Sequence, residues 1–230
     1  MADRDSALLR LDEVSISFDG QATLTSVSLD ISEGEFVALV GPSGSGKSTL
    51  LRCAAGLLPP DSGRVLLADE PLYQLRHHTR TALRARHFGF VFQDGDLIDE
   101  LTVHENVRLP LELNRMHDSR DRASQIMKLL GIADHAKRYP WQLSGGERQR
   151  AAIARAMVHR PDVLFADEPT GALDADNSLV VADLLIGAVR EHGTAILLVT
   201  HDPHLAGRAD RVVTLVNGRI ETADDQRAGT

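Results

Sequence analysis

Hydrophobic positions change period several times along the chain. From Leu9 to Ile31 they fall mostly two apart: Leu9, Leu11, Val14, Ile16 and Phe18, then Leu24, Val27, Leu29 and Ile31 after Asp19-Gly20. Period two broken by a glycine-containing turn predicts two antiparallel strands. After Glu35, the run Phe36–Val40 is continuously apolar, as in a strand buried on both faces. It leads through Gly41-Pro42-Ser43-Gly44-Ser45-Gly46 into a helical stretch, Lys47–Ala55, closed by Gly56. Phe88–Phe92 predicts another strand. Three helices follow: one holding Val103–Leu111, one over Ser119–Leu130 with Asp118 as N-cap and Gly131 past its end, and one holding Glu147–His159 and stopped by Pro161. Strands return at Val163–Ala166 and Ala195–Val199, flanking a helix over Ala175–Glu191. Val212–Val216 and Arg219–Glu221 bracket Asn217-Gly218, a two-residue hairpin signal.

Buried strands alternating with helices predict an α/β fold with a mostly parallel sheet. To this the pattern adds an N-terminal antiparallel β region and an inserted helical subdomain. The expected organisation is a single domain over 1–230, with its core at about 1–92 and 161–222, a helical subdomain at about 93–160 and a polar tail from about 223.

Composition narrows the class. The 230 residues carry 25 Lys and Arg against 33 Asp and Glu, a formal charge of −8. That excess of acid argues against non-specific nucleic-acid binding, because phosphate backbones attract Lys and Arg. The single cysteine, Cys53, excludes an internal disulfide and a Cys-based zinc site. No segment approaches the ~18 apolar residues that span a bilayer, and Met1–Glu13 lacks the apolar core of a signal peptide, so a cytosolic chain is expected. Cys53 and Trp141 are expected to be packing residues, with Trp141 anchoring its loop by burial. His77, His78, His104, His117 and His135 show no metal-ligand spacing.

Two segments carry chemistry in their residue types. Gly41-Pro42-Ser43-Gly44-Ser45-Gly46-Lys47-Ser48 fits G-x-x-x-x-G-K-[ST], the phosphate loop. Its glycines let backbone N–H groups close on an anion, the following helix offers its positive end, Lys47 adds a charge, and Ser48 is placed to ligate Mg²⁺. Val163-Leu164-Phe165-Ala166-Asp167-Glu168 is a strand ending in two carboxylates, one able to hold Mg²⁺ and the next able to orient or deprotonate water.

Leu143-Ser144-Gly145-Gly146-Glu147-Arg148-Gln149-Arg150 resembles the signature of ATP-binding cassette (ABC) ATPases, and it precedes the carboxylate strand as in that family. Gln93 resembles the Q-loop glutamine. Gly171-Ala172-Leu173-Asp174 resembles the D-loop, and His201 the switch histidine. Phe18 stands where the family places an aromatic against adenine. The resemblance extends from about Leu9 to about Glu221.

It implies a P-loop NTPase (RecA-like) core. It implies ATP held by Phe18, Gly41, Ser43, Gly44, Ser45, Gly46, Lys47, Ser48 and Thr49, with Ser144, Gly145 and Gly146 closing on the phosphate held by a second, head-to-tail subunit. It implies Mg²⁺ at Ser48, Gln93 and Asp167, hydrolysis by Glu168, His201 and Gln93, and dimer contacts through Leu173 and Asp174. The second subunit is expected to be another copy. Phe88–Gln93, Leu101–Val107 and Asp167–Asp174 resemble the exporter-type group of MacB, LolD and FtsE. That implies a peripheral subunit on the inner face of the membrane. It would drive separate permease subunits through the acidic region after Gln93, where this chain departs from the group by carrying Asp94–Asp96. No nucleic-acid partner is expected. The competing class is a soluble ABC-type ATPase acting on nucleic acid or in translation, but such members carry long coiled coils or tandem cassettes, and this chain has neither.

Overall fold

The computed structural model describes residues 7–92, 96–116 and 120–221. Gln93, Asp94, Gly95, the Asp118 cap and the polar tail therefore lie outside the described residues. Two sheets form the β structure. β1 (Leu9–Phe18) pairs antiparallel with β2 (Gln21–Ile31) and β4 (Ser62–Leu67), and β5 (Glu70–Pro71) completes the order β2-β1-β4-β5. The β1–β2 turn is Asp19-Gly20, both at positive φ (50° and 79°), the conformation that a two-residue hairpin demands.

The second sheet has the order β10-β9-β3-β8-β7-β6: β3 (Phe36–Val40), β6 (Phe88–Val91), β7 (Val163–Asp167), β8 (Ala195–Val199), β9 (Arg211–Val216) and β10 (Arg219–Ile220). The strands from β9 to β6 run parallel, and β10 turns back at Asn217-Gly218. Their apolar runs are continuous because each strand feeds two cores. Val37, Leu39, Val163, Phe165, Leu197 and Val199 pack toward the antiparallel sheet and α1 (Lys47–Ala54). Phe36, Leu164, Ala166, Ile196 and Leu198 pack on the other face, toward α3 (Val103–Leu113), α4 (Arg120–Leu129), α5 (Gly145–Met157) and α6 (Ala175–His192). Period-two geometry divides one hydrophobic run between opposite faces.

Several elements go beyond the pattern. β4, β5, α2 (His77–His87) and α7 (Pro203–Ala206) carry no strong periodicity, and α2 buries no residue fully. α5 starts two residues before Glu147 and ends at Met157, short of His159, because Arg160 turns left-handed (φ 56°) ahead of Pro161. Pro110 sits inside α3 without ending it. Between β6 and β7 the described residues form only helices and turns. Among the described residues, no helix is long and apolar enough to cross a membrane.

Cys53 is buried and its thiol is pushed up to about 12 by desolvation, against a smaller opposing effect of the Tyr73 hydroxyl. Trp141 differs from expectation. Its indole is 63% exposed and stacks on Tyr139 with ring centroids 4.6 Å apart. Pro140 and Leu143, on either side, take the buried positions instead.

Candidate functional site

Because β3, β6, β7 and β8 are parallel, their C-terminal ends share one edge, where open α/β sheets bind ligands. β3 delivers the phosphate loop there. Registers Leu39↔Val199 and Asp167↔Val199 place the end of β8 between that loop and the two carboxylates.

The loop is built for a polyanion. Gly41, Gly44 and Gly46 have φ of 149°, 78° and 101°. A Cβ on Gly41 would run into the Leu215 carbonyl, and one on Gly46 would lie 2.9 Å from the Thr23 carbonyl. Gly46 caps α1 with no side chain, so the first-turn N–H groups of Lys47, Ser48 and Thr49 are left for an anion. Ser43 is exposed and Ser45 buried. Buried Lys47 donates from Nζ to the Gly41 and Pro42 carbonyls, both at 2.9 Å, which fixes its ammonium at the loop. Ser48 follows on the same helical turn. Its hydroxyl and the buried Asp167 carboxylate are hard oxygen donors, the kind that could hold Mg²⁺. Gln93, the third residue expected there, lies outside the described residues.

Glu168 follows Asp167 in a left-handed conformation (φ 50°), rare for a residue with a Cβ and a form of local strain. Its N–H donates to the Val199 carbonyl at 2.9 Å. Its carboxylate meets the segment after β8: Oε2 accepts the His201 N–H at 3.3 Å, and Oε1 lies 3.4 Å from His201 Nε2. The structure thus joins Glu168 and His201, 33 residues apart in sequence. A cavity of about 660 Å³ opens behind them, lined in part by Thr170, Leu173, Leu179 and Leu205.

Phe18 ends β1 at the Asp19-Gly20 turn, and its ring is 48% exposed. The same hairpin returns through Thr23 and Leu24, which touch Gly46, so Phe18 belongs to the hairpin that covers the phosphate loop. From the other side, Gly218 donates its N–H to the Ser45 carbonyl at 3.1 Å. The loop is therefore walled by two hairpins distant in sequence, β1–β2 and β9–β10.

Ser144, Gly145 and Gly146 sit at the start of α5, which a capping box closes. Gly146 packs against Ala172 and Leu173, so the signature and the D-loop touch within one chain. Asp174 caps α6 by accepting the Asn177 N–H at 2.9 Å, the main cause holding its carboxyl below the usual range.

Sequence reasoning missed Asn106. Fully buried, it accepts the Ile98 N–H at 2.8 Å and donates to the carbonyls of Ile98, Leu101 and Thr102, bracing the loop that follows Asp96. No pattern signals it: Asn at a helical position is ordinarily polar surface. On that loop Ile98 is an exposed apolar side chain between Asp96 and Asp99.

A sheet edge with a glycine cradle, a buried lysine and paired strand-end carboxylates defines a P-loop nucleotide-binding protein. The family model described as "ABC transporter" matches residues 24–171. Among curated relatives, "Uncharacterized ABC transporter ATP-binding protein YbbA" of Escherichia coli (strain K12) is 50% identical over 200 residues, 86% of this chain and 88% of the relative. "Lipoprotein-releasing system ATP-binding protein LolD" of Bordetella pertussis is 46% identical over 86% of this chain and 87% of the relative. The solved structure titled "Dimeric Structure of MJ0796, a Bacterial ABC Transporter Cassette" superposes with a TM-score of 0.88 at 38% identity, covering 93% of this chain and 97% of that one. A post-hydrolysis state of the same cassette, bound to ADP and Pi, matches equally well. The chain belongs to the ABC transporter family, as an ATP-binding, ATP-hydrolysing subunit of the LolD-like group.

Proposed function

We propose that two copies of this chain pair head to tail on ATP, and that closure and reopening drive permease subunits of the MacB, LolD and FtsE exporter or mechanotransmission type at the inner membrane face. One observation carries the reading. The phosphate loop, Asp167, Glu168 and His201 share one sheet edge, while the signature is a second anion-receptive helix start, seated on the D-loop.

In this reading Lys47 and the loop N–H groups bind the triphosphate, and Phe18 stacks on the base; in single-strand binders a stacked base is worth roughly 1–3 kcal/mol. Ser48, Asp167 and Gln93 would hold Mg²⁺, which would neutralise negative charge on the phosphates. Glu168 orients the attacking water and takes its proton, and His201 steadies the Glu168 carboxylate and contacts the γ-phosphate. Ser144, Gly145 and Gly146 close on that phosphate from the partner, and Leu173 and Asp174 line the dimer seam. Residues about 93–160 act as a helical lobe on the core. Their loop after Gln93, with Ile98 between acids and braced by Asn106, meets a basic, apolar-tipped helix of the permease.

Mixed dimers of Lys47→Ala and Ser144→Arg chains test the composite site. Each homodimer is expected to be inactive, while the mixed dimer keeps one intact site and recovers part of the ATPase rate. No recovery despite confirmed mixing would count against a shared site.

A further inference from the structure

The signature carries its own anion. Glu147 lies in the first turn of α5, where its carboxylate competes with any phosphate for the same positive helix end. Its Oε2 accepts the Ser144 backbone N–H at 2.7 Å, and its own N–H donates to Ser144 Oγ at 3.3 Å. This box folds the carboxylate backward over Ser144 and so clears the helix start. The second carboxylate oxygen, Oε1, is held by His135 Nε2 at 2.9 Å, with the two side chains 18% and 22% exposed.

His135 belongs to the short 3₁₀ turn Ala133–His135. That turn leads into residues tied to the head of α3: Ala136 accepts the His104 N–H at 3.0 Å and Arg138 accepts the Val103 N–H at 2.8 Å. The donor therefore sits on a fixed backbone. Its other ring nitrogen, Nδ1, is buried and makes no hydrogen bond among the described residues. Burying a ring edge unsatisfied is costly, so packing alone does not account for a histidine here. Arg138 adds a positive charge near Glu147.

We infer that His135 is a positioning residue for the signature: it holds the Glu147 carboxylate against the Ser144 N–H, leaving the start of α5 open to the partner's phosphate. The inference rests on the composite-site reading above. Without His135 the Ser144 N–H alone restrains one oxygen of the carboxylate, which then swings more readily toward the incoming phosphate and repels it.

The test uses the full chain carrying Glu168→Gln, so that bound ATP is not consumed. The readout is the ATP concentration for half-maximal dimerisation, followed by light scattering. His135→Ala should raise it roughly 3- to 10-fold, the effect of one ordinary net hydrogen bond, because solvent at this partly exposed pair screens the extra strength of a charged acceptor. His135→Gln, whose amide N–H₂ reaches the same oxygen, should restore it to within about twofold of the parent. In a Glu147→Gln background, which has no charge to restrain, His135→Ala should shift it by less than about twofold. An equal shift in both backgrounds, or none in the first, overturns the inference. A Glu168→Gln parent that never dimerises on ATP overturns the composite-site reading itself, and the His135 role with it.

Discussion

Gly89 offers a direct measure of how tightly α5 is seated on the sheet. A Cβ there would lie 2.9 Å from Leu164 Cδ1 and 3.0 Å from Pro161 Cγ, and closer still to the Ala156 carbonyl oxygen. Carbon atoms pack best at about 3.5–4.0 Å, so Gly89→Ala forces the end of α5 and β6 apart by several tenths of an ångström. One obstacle is backbone and cannot rotate away. Overpacking of this kind costs roughly 1–3 kcal/mol, and with three simultaneous contacts we expect about 3 kcal/mol. For a chain of this size each kcal/mol moves Tm by about 2–4 °C, so the loss should be roughly 6–12 °C. The assay is thermal unfolding followed by circular dichroism, without nucleotide. Gly187→Ala is the control. Gly187 lies inside α6 with nothing within 4 Å of its added Cβ. There alanine should stabilise by about 0.5–1 kcal/mol through helix propensity, raising Tm by roughly 1–4 °C. A Gly89→Ala protein melting within about 1 °C of the parent would refute the close approach of α5 and β6.

Two further outcomes follow from the site and its caps. Glu168→Gln should lower steady-state ATP turnover by roughly 10²–10⁴-fold with nucleotide affinity retained, whereas Lys47→Ala should weaken nucleotide binding itself; near-parental turnover in the first, or an unchanged Kd in the second, would reassign these residues. Stability should fall on acidification in two windows, read from the urea midpoint against pH. Burial holds His159 below its ordinary value, against the Phe88 carbonyl, so its contribution is complete above about pH 6.5 and is lost as pH falls through the depressed value. Glu105, held low mainly by the Thr102 hydroxyl, Glu147, by the Ser144 N–H, and Asp174, by the Asn177 N–H, contribute above about pH 4 and lose that contribution below it. A midpoint that rises between pH 7 and 5, or is flat below 4, contradicts these assignments.

The chain's own order of residues was enough for the elements whose physics is local. The turns at Asp19-Gly20 and Asn217-Gly218, the glycine loop ahead of Lys47 and the two-faced strands were legible because φ preference and side-chain period act within a few residues. Trp141 was misread: large aromatics are usually buried, and only packing of Pro140 and Leu143 leaves the indole outside. Asn106 and His135 were invisible as roles because their partners lie across loops or elements. Tertiary structure alone decided that the ends of β3, β7 and β8 meet at one edge, that Glu168 faces His201, and that Gly218 and Thr23 wall the phosphate loop. Such contacts depend on which strands pair. That choice is made by the summed burial of whole faces, which no short window of residues encodes.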